Sequence, residues 1–534
     1  MRPSLAPDSL DAPVSLRHRP AWIAHSPILN ASRTWQEPIW VSLAILVWLA
    51  ATAWARPLML PDEGRYVGVA WEMLASGHWL TPTLNGLPFF HKPPLFYWIT
   101  AASMSVFGAN PWAARAAPLL GAWLGAVALY LFTRRWAGPV AAGRVAVALA
   151  VQPLFLIGGQ FANMDMLVAG CTTATILAAA DAVLRMEQKL PFKRSLAAAC
   201  ALAGLGVLAK GLIGAAIPGL VMLVWLVATQ RWRRLLALLW LPGLGVFLAV
   251  AAPWCVAMQQ QFAGFFHYFF VVQHFQRFVG SGFNNVQPFW FYPAVLLLFS
   301  LPWTPLLYRL AIRGYGDRVP HDPVRSLMGV WLVTVVVFFS LPQSKLLGYV
   351  LPAVPPLAYL LADSLTTLQP LSRRMQNVWR ASSAMAAALG LGAIAWLAVV
   401  PTKSTAEIAV ALQSHRTPGE PVLMLQHYFY DVPFYARLHN PVMVVDDWQD
   451  PEIRTEDSWR KELVDAGQFA PSKAAAALVD ASRLRAALCR APVSWVIGPA
   501  HALDAYALPP RAQAVLTERG TTLWRVDAVC PAAP

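Results

Sequence analysis

The 534 residues are 57% hydrophobic and 13% charged, whereas soluble domains are roughly 45–50% apolar and about 25% charged, so a soluble fold is excluded. The formal net charge of +14 comes largely from basic pairs and triplets set between apolar runs: Arg134-Arg135, Lys193-Arg194, Arg231/Arg233/Arg234 and Arg373-Arg374. That spacing fits cytoplasmic anchoring of membrane spans and makes nucleic-acid binding a poor second reading.

In chain order, residues 1–38 are rich in Pro and Arg and read as a disordered cytoplasmic tail. No small-residue cleavage site follows the first apolar run, where Trp54-Ala55-Arg56-Pro57 is bulky and charged, so that run predicts an uncleaved span. Apolar runs near 39–58, 112–133, 139–158, 166–184, 195–209, 211–229, 235–257, 288–310, 326–341, 346–363 and 380–400 predict about eleven spans. The run 93–107 reaches only about 22 Å as a helix and is expected to be re-entrant or interfacial, giving a polytopic α-helical protein of about 11–13 membrane helices over 39–401. Trp290, Tyr292 and Trp303, near the run ends, suggest an interfacial belt.

Parity then orients the chain. With a cytoplasmic N-terminus and 93–107 not crossing, the basic clusters at 134–144, 185–194, 231–234, 309–325 and 373–380 all fall in the cytoplasm. The opposite side receives the loops 59–111 and 258–287, the turns 159–165 and 342–345, and everything after 401. From 402 the composition changes: strand-like runs 421–426, 441–446 and 493–498 alternate with helical stretches such as 473–487, predicting a small soluble α/β domain over 402–534. No glycine-rich phosphate loop follows any of these strands. Cys171, Cys200 and Cys255 fall in apolar runs, whereas Cys489 and Cys530 would share an oxidising compartment and could form a disulfide.

The unusual polar residues gather on that outer side. Pro61-Asp62-Glu63-Gly64-Arg65-Tyr66 places two carboxylates and an arginine at a membrane mouth, where charges are costly to desolvate and seldom idle. A compatible structural reading makes Asp62 the N-cap of a helix running through Ser76 to Gly77, with Glu63 favouring its dipole. His91-Lys92-Pro93-Pro94 leaves Lys92 at a helix entrance, where its ammonium could meet a phosphate; a snorkelling lysine is the plainer alternative. Asp165 stands at the outer start of a span and wants a cation, metal or substrate hydroxyl as partner. Lys210 and Lys345 add positive charge at the same depth, although each alone reads as an anchor. The segment 265–278 is too aromatic for water and is expected to lie in the interface as a helix, with His267, His274 and Arg277 on related faces. The two histidines could bind a divalent metal, but no third ligand is spaced to join them, so no cofactor is assigned.

In unbroken order from about residue 40 to 365, the Asp-Glu-x-Arg-Tyr opening, x-Lys-Pro-Pro-Leu-x-Tyr-Trp, the later Met-Asp, His-x-x-Arg-Phe and Ser-Lys-x-x-x-Tyr-x-x-Pro resemble bacterial membrane glycosyltransferases of the GT-C fold. The resemblance is to lipid A 4-amino-4-deoxy-L-arabinose transferases and their protein O-mannosyltransferase relatives. It implies transfer of a sugar from a polyprenyl-phosphate donor to a lipid, glycan or protein acceptor, with inversion, at the periplasmic face of the inner membrane. By position, Asp62 matches the catalytic carboxylate and Asp165 the second acidic residue. Arg65, Lys92, His274, Arg277, Lys345 and Tyr349 match or neighbour the carrier-phosphate pocket, and Glu63, His91 and Lys210 complete the set of donor-binding candidates. His91 is a departure, since aminoarabinose transferases commonly carry Glu before that Lys-Pro.

A multi-span transporter of an anionic or lipid-linked substrate is the alternative from another class, but transporters place such charges near the midplane of repeated halves, and no internal repeat is visible. A non-catalytic scaffold is disfavoured by so many desolvated charges. The parity argument predicts that an alkaline phosphatase fused after residue 401 is active; an inactive fusion with a bright cytoplasmic reporter at the same point would overturn the one-sided arrangement.

Overall fold

A computed structural model describes residues 36–276, 285–311, 322–366, 372–400, 403–506 and 512–527; the expected N-terminal tail lies outside them. Hydrocarbon offers no partner for backbone N–H and C=O groups, so the apolar runs must close their hydrogen bonds internally. Every expected span holds helix, but the first, expected over 39–58, is helical only through Ala50 and continues in turns, and the run 346–363 opens as a 3₁₀-helix. Among the described residues, five helices are long and apolar enough to cross a membrane on their own: Ala116–Trp136, Met164–Glu187, Leu241–Gln261, Pro323–Ser340 and Arg373–Val399.

Two expected single spans are sharply bent. Pro139–Ala150 and Pro153–Gly159 meet at 67°, and Phe291–Phe299 meets Leu301–Tyr308 at 68°. Each break precedes a proline, Pro153 or Pro302, which lacks an N–H to continue the helical ladder. At the first break the Gln152 side chain accepts from the Phe155 N–H at 2.9 Å and caps the new helix. The short run before residue 108 forms the helix Leu95–Phe107. Of the expected aromatic belt only Trp290 is exposed; Tyr292 and Trp303 are fully buried in the core, where the Tyr292 hydroxyl donates to the Leu346 carbonyl.

Helices Ala116–Trp136 and Met164–Glu187 cross at backbone contact, because a Cβ on Gly170 would lie 2.0 Å from the Gly121 carbonyl oxygen. Small residues permit this approach where dispersion, not hydrophobicity, joins helices. The 24 residues of Met164–Glu187 span about 36 Å, so they carry Asp165 at one end and the basic cluster at the other. At that far end Asp181 accepts from Arg135, Arg185 and Ser195, and Arg231 meets Glu187 at 2.8 Å.

On the Asp165 side stand the helix Asp62–Ser76, ended by Gly77 at φ +72°, and the hairpin β1 (Thr83–Leu84) with β2 (Leu87–Pro88). The C-terminal part holds β3 (Val422–Leu425), β4 (Met443–Asp446), β5 (Leu478–Asp480), β6 (Val493–Pro499), β7 (Ala512–Glu518) and β8 (Thr521–Asp527) in the order β5-β4-β3-β6-β8-β7. The first four are parallel, and β8 and β7 run antiparallel at one edge. The expected long helix over 473–487 is instead Pro471–Ala477, strand β5 and a short helix Leu484–Leu488, since Leu478-Val479-Asp480 pairs with β4 and tertiary pairing overrides the alanine-rich local preference.

The C-terminal sheet shares a core with the helices on the Asp165 side: Tyr66, Val67, Ala70, Phe96 and Tyr97 pack in one cluster with Tyr428, Phe434, Val444 and Trp495. Cys489 is disulfide-bonded; its expected partner Cys530 lies outside the described residues. The crossing predicts that Gly170→Ala sharply lowers the yield of monodisperse protein in detergent, while Gly143→Ala, where an added methyl meets nothing within 4 Å, leaves it within about twofold of wild type. Equal yields would refute a backbone contact at Gly170.

Candidate active site

The chain leaves its first helix and at once buries three charges. Glu63 is completely enclosed, as is Arg115, and Arg56 is 4% exposed. Arg115 donates to both Glu63 oxygens, at 2.9 and 3.1 Å; Arg56 pairs with the same carboxylate, and the backbone N–H groups of Met59 and Ala162 donate at 2.9 and 2.8 Å. Burial pushes the Glu63 carboxyl up, but Arg115 and Arg56 outweigh it and hold it at about 2. Glu63 therefore stands behind the site and not in it.

One residue earlier, Asp62 faces the other way. It is the first helical residue, not the expected N-cap: Pro61 occupies the cap and no side chain caps the helix. Its carboxylate pairs instead with Arg65 one turn on, and 32% of its side chain stays exposed. Arg65 is shared, since it also pairs with Glu462 on the helix Trp459–Gly467, and its guanidinium lies 4.8 Å from the Tyr66 ring centroid.

Asp165, in the first turn of Met164–Glu187, pairs with Lys210 at the end of Lys193–Lys210 and accepts from the Asn163 amide at 3.0 Å. The Lys210 ammonium lies 4.3 Å from the Tyr349 ring centroid. Gly348 is needed here for close approach, because a Cβ on it would sit 2.0 Å from the Asp165 carboxylate. His91 is buried, stacked on Phe89 at 4.5 Å, with Nδ1 4.0 Å from Glu462. Lys345 donates to the carbonyls of Gln287 and Pro342, tying two turns together. The aromatic segment forms a π-helix, His267–Gln276; the side chain of His274 and all of Arg277 lie outside the described residues. No group of three or more His, Cys, Asp or Glu that could hold a metal occurs among the described residues.

Asp62, Arg65, His91, Lys92, Asp165, Lys210 and Tyr349 line one cavity of about 940 Å³; Glu63 and Lys345 do not. Toward the membrane helices the wall is Val168, Ile213, Ile217, Phe338 and Phe339, and toward the C-terminal part it is His427, Tyr430, Trp459 and Glu462. The cavity can thus hold an acidic and basic reaction centre between an apolar slot and a polar mouth. Sequence reading missed the C-terminal wall and the Arg56–Glu63–Arg115 cluster. Glu462 sits 397 positions from Arg65, and no local motif marks it.

Residues 91–256 match the family profile described as Dolichyl-phosphate-mannose-protein mannosyltransferase. The chain is 32% identical over 340 residues to the undecaprenyl phosphate-alpha-4-amino-4-deoxy-L-arabinose arabinosyl transferase 2 of Pseudomonas fluorescens, covering 62% of this chain and 60% of that protein. To the corresponding transferase of Pseudomonas paraeruginosa it is 34% identical over 347 residues, covering 64% and 61%. The chain thus spans about 60% of the length of the curated relatives it matches. The crystal structure of ArnT from Cupriavidus metallidurans bound to undecaprenyl phosphate superposes with a TM-score of 0.77 at 24% identity, covering 92% of this chain and 98% of that one. The fold is therefore that of a polytopic GT-C-type membrane protein. Within that class, the resemblance read from the five motifs, to the aminoarabinose transferases and their mannosyltransferase relatives, is borne out.

The enclosed cluster makes a stability prediction. Glu63→Gln leaves two buried guanidinium groups short of a counter-charge and should destabilise the protein by about 3 kcal/mol or more. A carboxyl held at about 2, below its ordinary 4.5, stabilises the fold above pH 4.5 and loses that contribution as pH falls through 2. Thermal unfolding in detergent should show wild type losing stability across that window and Glu63→Gln lacking this component; an unshifted midpoint at neutral pH would refute the role.

Proposed function

We propose that this protein is an inverting glycosyltransferase that moves a sugar from a polyprenyl-phosphate carrier to a hydroxyl or phosphate acceptor, with the lipid A-like acceptor that the motif resemblance implies. The observation that carries the reading is the continuous cavity, which joins an apolar slot at helix depth to paired carboxylates and cations. A polyprenyl tail belongs in the first part and a glycosyl phosphate in the second. The crystal structure with undecaprenyl phosphate is of a protein with this fold. A transporter does not account for charges gathered at one mouth with no repeated half.

The carboxylates differ in availability. Asp165 is 7% exposed and held by Lys210 and Asn163, whereas Asp62 keeps an exposed portion on the cavity wall. Asp62 is thus the proposed base: it takes the proton from an acceptor hydroxyl whose oxygen attacks the anomeric carbon from the face opposite the phosphate, as the bond to the carrier oxygen breaks. The departing phosphate gains charge, which Lys92 and Lys210 stabilise, while Tyr349 shapes their surroundings. An acceptor phosphate is already ionised, and Asp62 would then orient the donor sugar. Asp165 sets the position of Lys210. Glu63 and Lys345 are assigned scaffold parts, and His274 and Arg277 remain proposed carrier contacts from their motif alone.

The same reading puts the site and the residues from 402 onward in the periplasm, making 402–534 a periplasmic domain. Basic clusters at the opposite helix ends support this, as does the disulfide of Cys489, a bond that persists in oxidising compartments.

Asp62→Asn keeps the side-chain volume and removes the charge. With no capping bond to lose, the protein should insert and fold normally while turnover of a polyprenyl-phosphate sugar in detergent drops by roughly 10²–10⁴-fold, the usual contribution of a positioned base. Turnover near wild type, normalised to folded enzyme, would remove Asp62 from the mechanism.

A further inference from the structure

We infer that Glu462, from the C-terminal α/β part, is a positioning residue of the reaction centre, and that the centre is incomplete without it; this rests on the glycosyl-transfer reading above. Glu462 lies on the helix Trp459–Gly467, is 5% exposed, and lines the same cavity as Asp62. One carboxylate oxygen pairs with Arg65, while the other accepts from the Tyr430 hydroxyl at 2.6 Å. Arg65 also pairs with Asp62. A single guanidinium is therefore divided between a carboxylate of the membrane part and one of the C-terminal part.

The division has a chemical consequence. A bidentate arginine bound to Asp62 alone would occupy both oxygens of that carboxylate and lower its power to take a proton. Glu462 draws one arm of the fork away, so Asp62 meets Arg65 through a single oxygen in this structure. The geometry that maintains this is tight. A Cβ on Gly64 would lie 3.0 Å from the Asp431 nitrogen and 3.1 Å from the Tyr430 Cβ, and one on Gly68 would lie 3.1 Å from the Tyr430 carbonyl oxygen. The helix bearing Asp62 and Arg65 is thus pressed by its two glycines onto the backbone that presents Tyr430, and Tyr430 in turn fixes Glu462. His91, 4.0 Å from Glu462, flanks the same carboxylate on the cavity side.

The test uses the full-length enzyme in detergent or nanodiscs, with Glu462→Gln, Glu462→Asp and Tyr430→Phe compared by steady-state kinetics on a polyprenyl-phosphate sugar, normalised to folded protein. Glu462→Gln should lower kcat at least tenfold with the donor KM within about twofold of wild type, Glu462→Asp should restore most of that loss, and Tyr430→Phe should fall between. A role confined to docking the C-terminal part would lower folded yield and leave kcat per folded molecule unchanged, for Gln and Asp alike, and that result overturns the inference. Should Glu462→Gln fail to fold, Tyr430→Phe decides: it keeps the ring packing and removes only the bond to Glu462, and a wild-type kcat there refutes the positioning chain. Wild-type enzyme that transfers no sugar from any polyprenyl-phosphate donor removes the glycosyl-transfer reading, and this inference with it; active wild type with unaffected variants removes this inference alone.

Discussion

The architecture around the cavity hangs on one enclosed carboxylate. Glu63 binds Arg56 just beyond the first helix, Arg115 at the entrance of Ala116–Trp136, and the backbone of Ala162 just before Asp165. Three stretches of chain, 56–63, Arg115 and Ala162, meet at its two oxygens. Burying three charges is expensive, and apolar replacements of such clusters are often as stable, so the return here is positional. An ion cluster with fixed hydrogen-bond directions allows one register only, and it places Asp62, the neighbouring residue, and Asp165, three positions past Ala162, on the wall of one cavity.

A second constraint joins that frame to the C-terminal sheet. The Asn85 side chain exchanges two hydrogen bonds with the backbone of Val442, at 2.9 and 2.8 Å, and Trp71 donates to the Leu438 carbonyl at 2.8 Å. With the shared apolar cluster and the glycine face of the Asp62–Ser76 helix, these contacts make the sheet a wall of the site. Its strands are ordinary; their placement against Arg65 is what matters. A loosely tethered domain could not hold a carboxylate within hydrogen-bond reach of the half-buried Arg65 guanidinium.

Much of this was legible in the sequence, for identifiable reasons. Spans announce themselves because hydrocarbon demands long apolar runs, and the motif order carried the resemblance. Asp62, Asp165 and Lys210 are conspicuous since a charge among apolar neighbours has few innocent explanations. The kinks at Pro153 and Pro302 were hidden inside runs judged by length alone. The Asp62 cap failed because Arg65, one turn away, offers the carboxylate a stronger partner than a backbone N–H. Tyr292 and Trp303 look interfacial by composition, yet they are core residues because their helix is broken and folds inward. Glu462 was illegible: Ser-Trp-Arg-Lys-Glu reads as any amphipathic helix start, and only the tertiary fold brings it to Arg65.

On the proposed glycosyl-transfer reading, the site's position at the mouth of the bundle, and not at its midplane, follows from the physics of a lipid-linked donor. Extracting a polyprenyl chain into water costs about 0.8 kcal/mol for each CH₂ exposed, so a tail of many carbons stays in hydrocarbon while only its phosphate and sugar reach the surface. Chemistry on such a molecule has to occur where these two environments meet. The apolar wall from Val168 to Phe339 and the polar wall from Asp62 to Glu462 enclose one continuous space, which would let both halves of such a donor stay in the medium each prefers. A carrier moving its cargo across the bilayer would need paired charges along the path. Here the paired charges at the far end of Met164–Glu187 are held by Asp181 and its neighbours, and the groups that line the cavity stand at the opposite end, with Asp62 and Asp165.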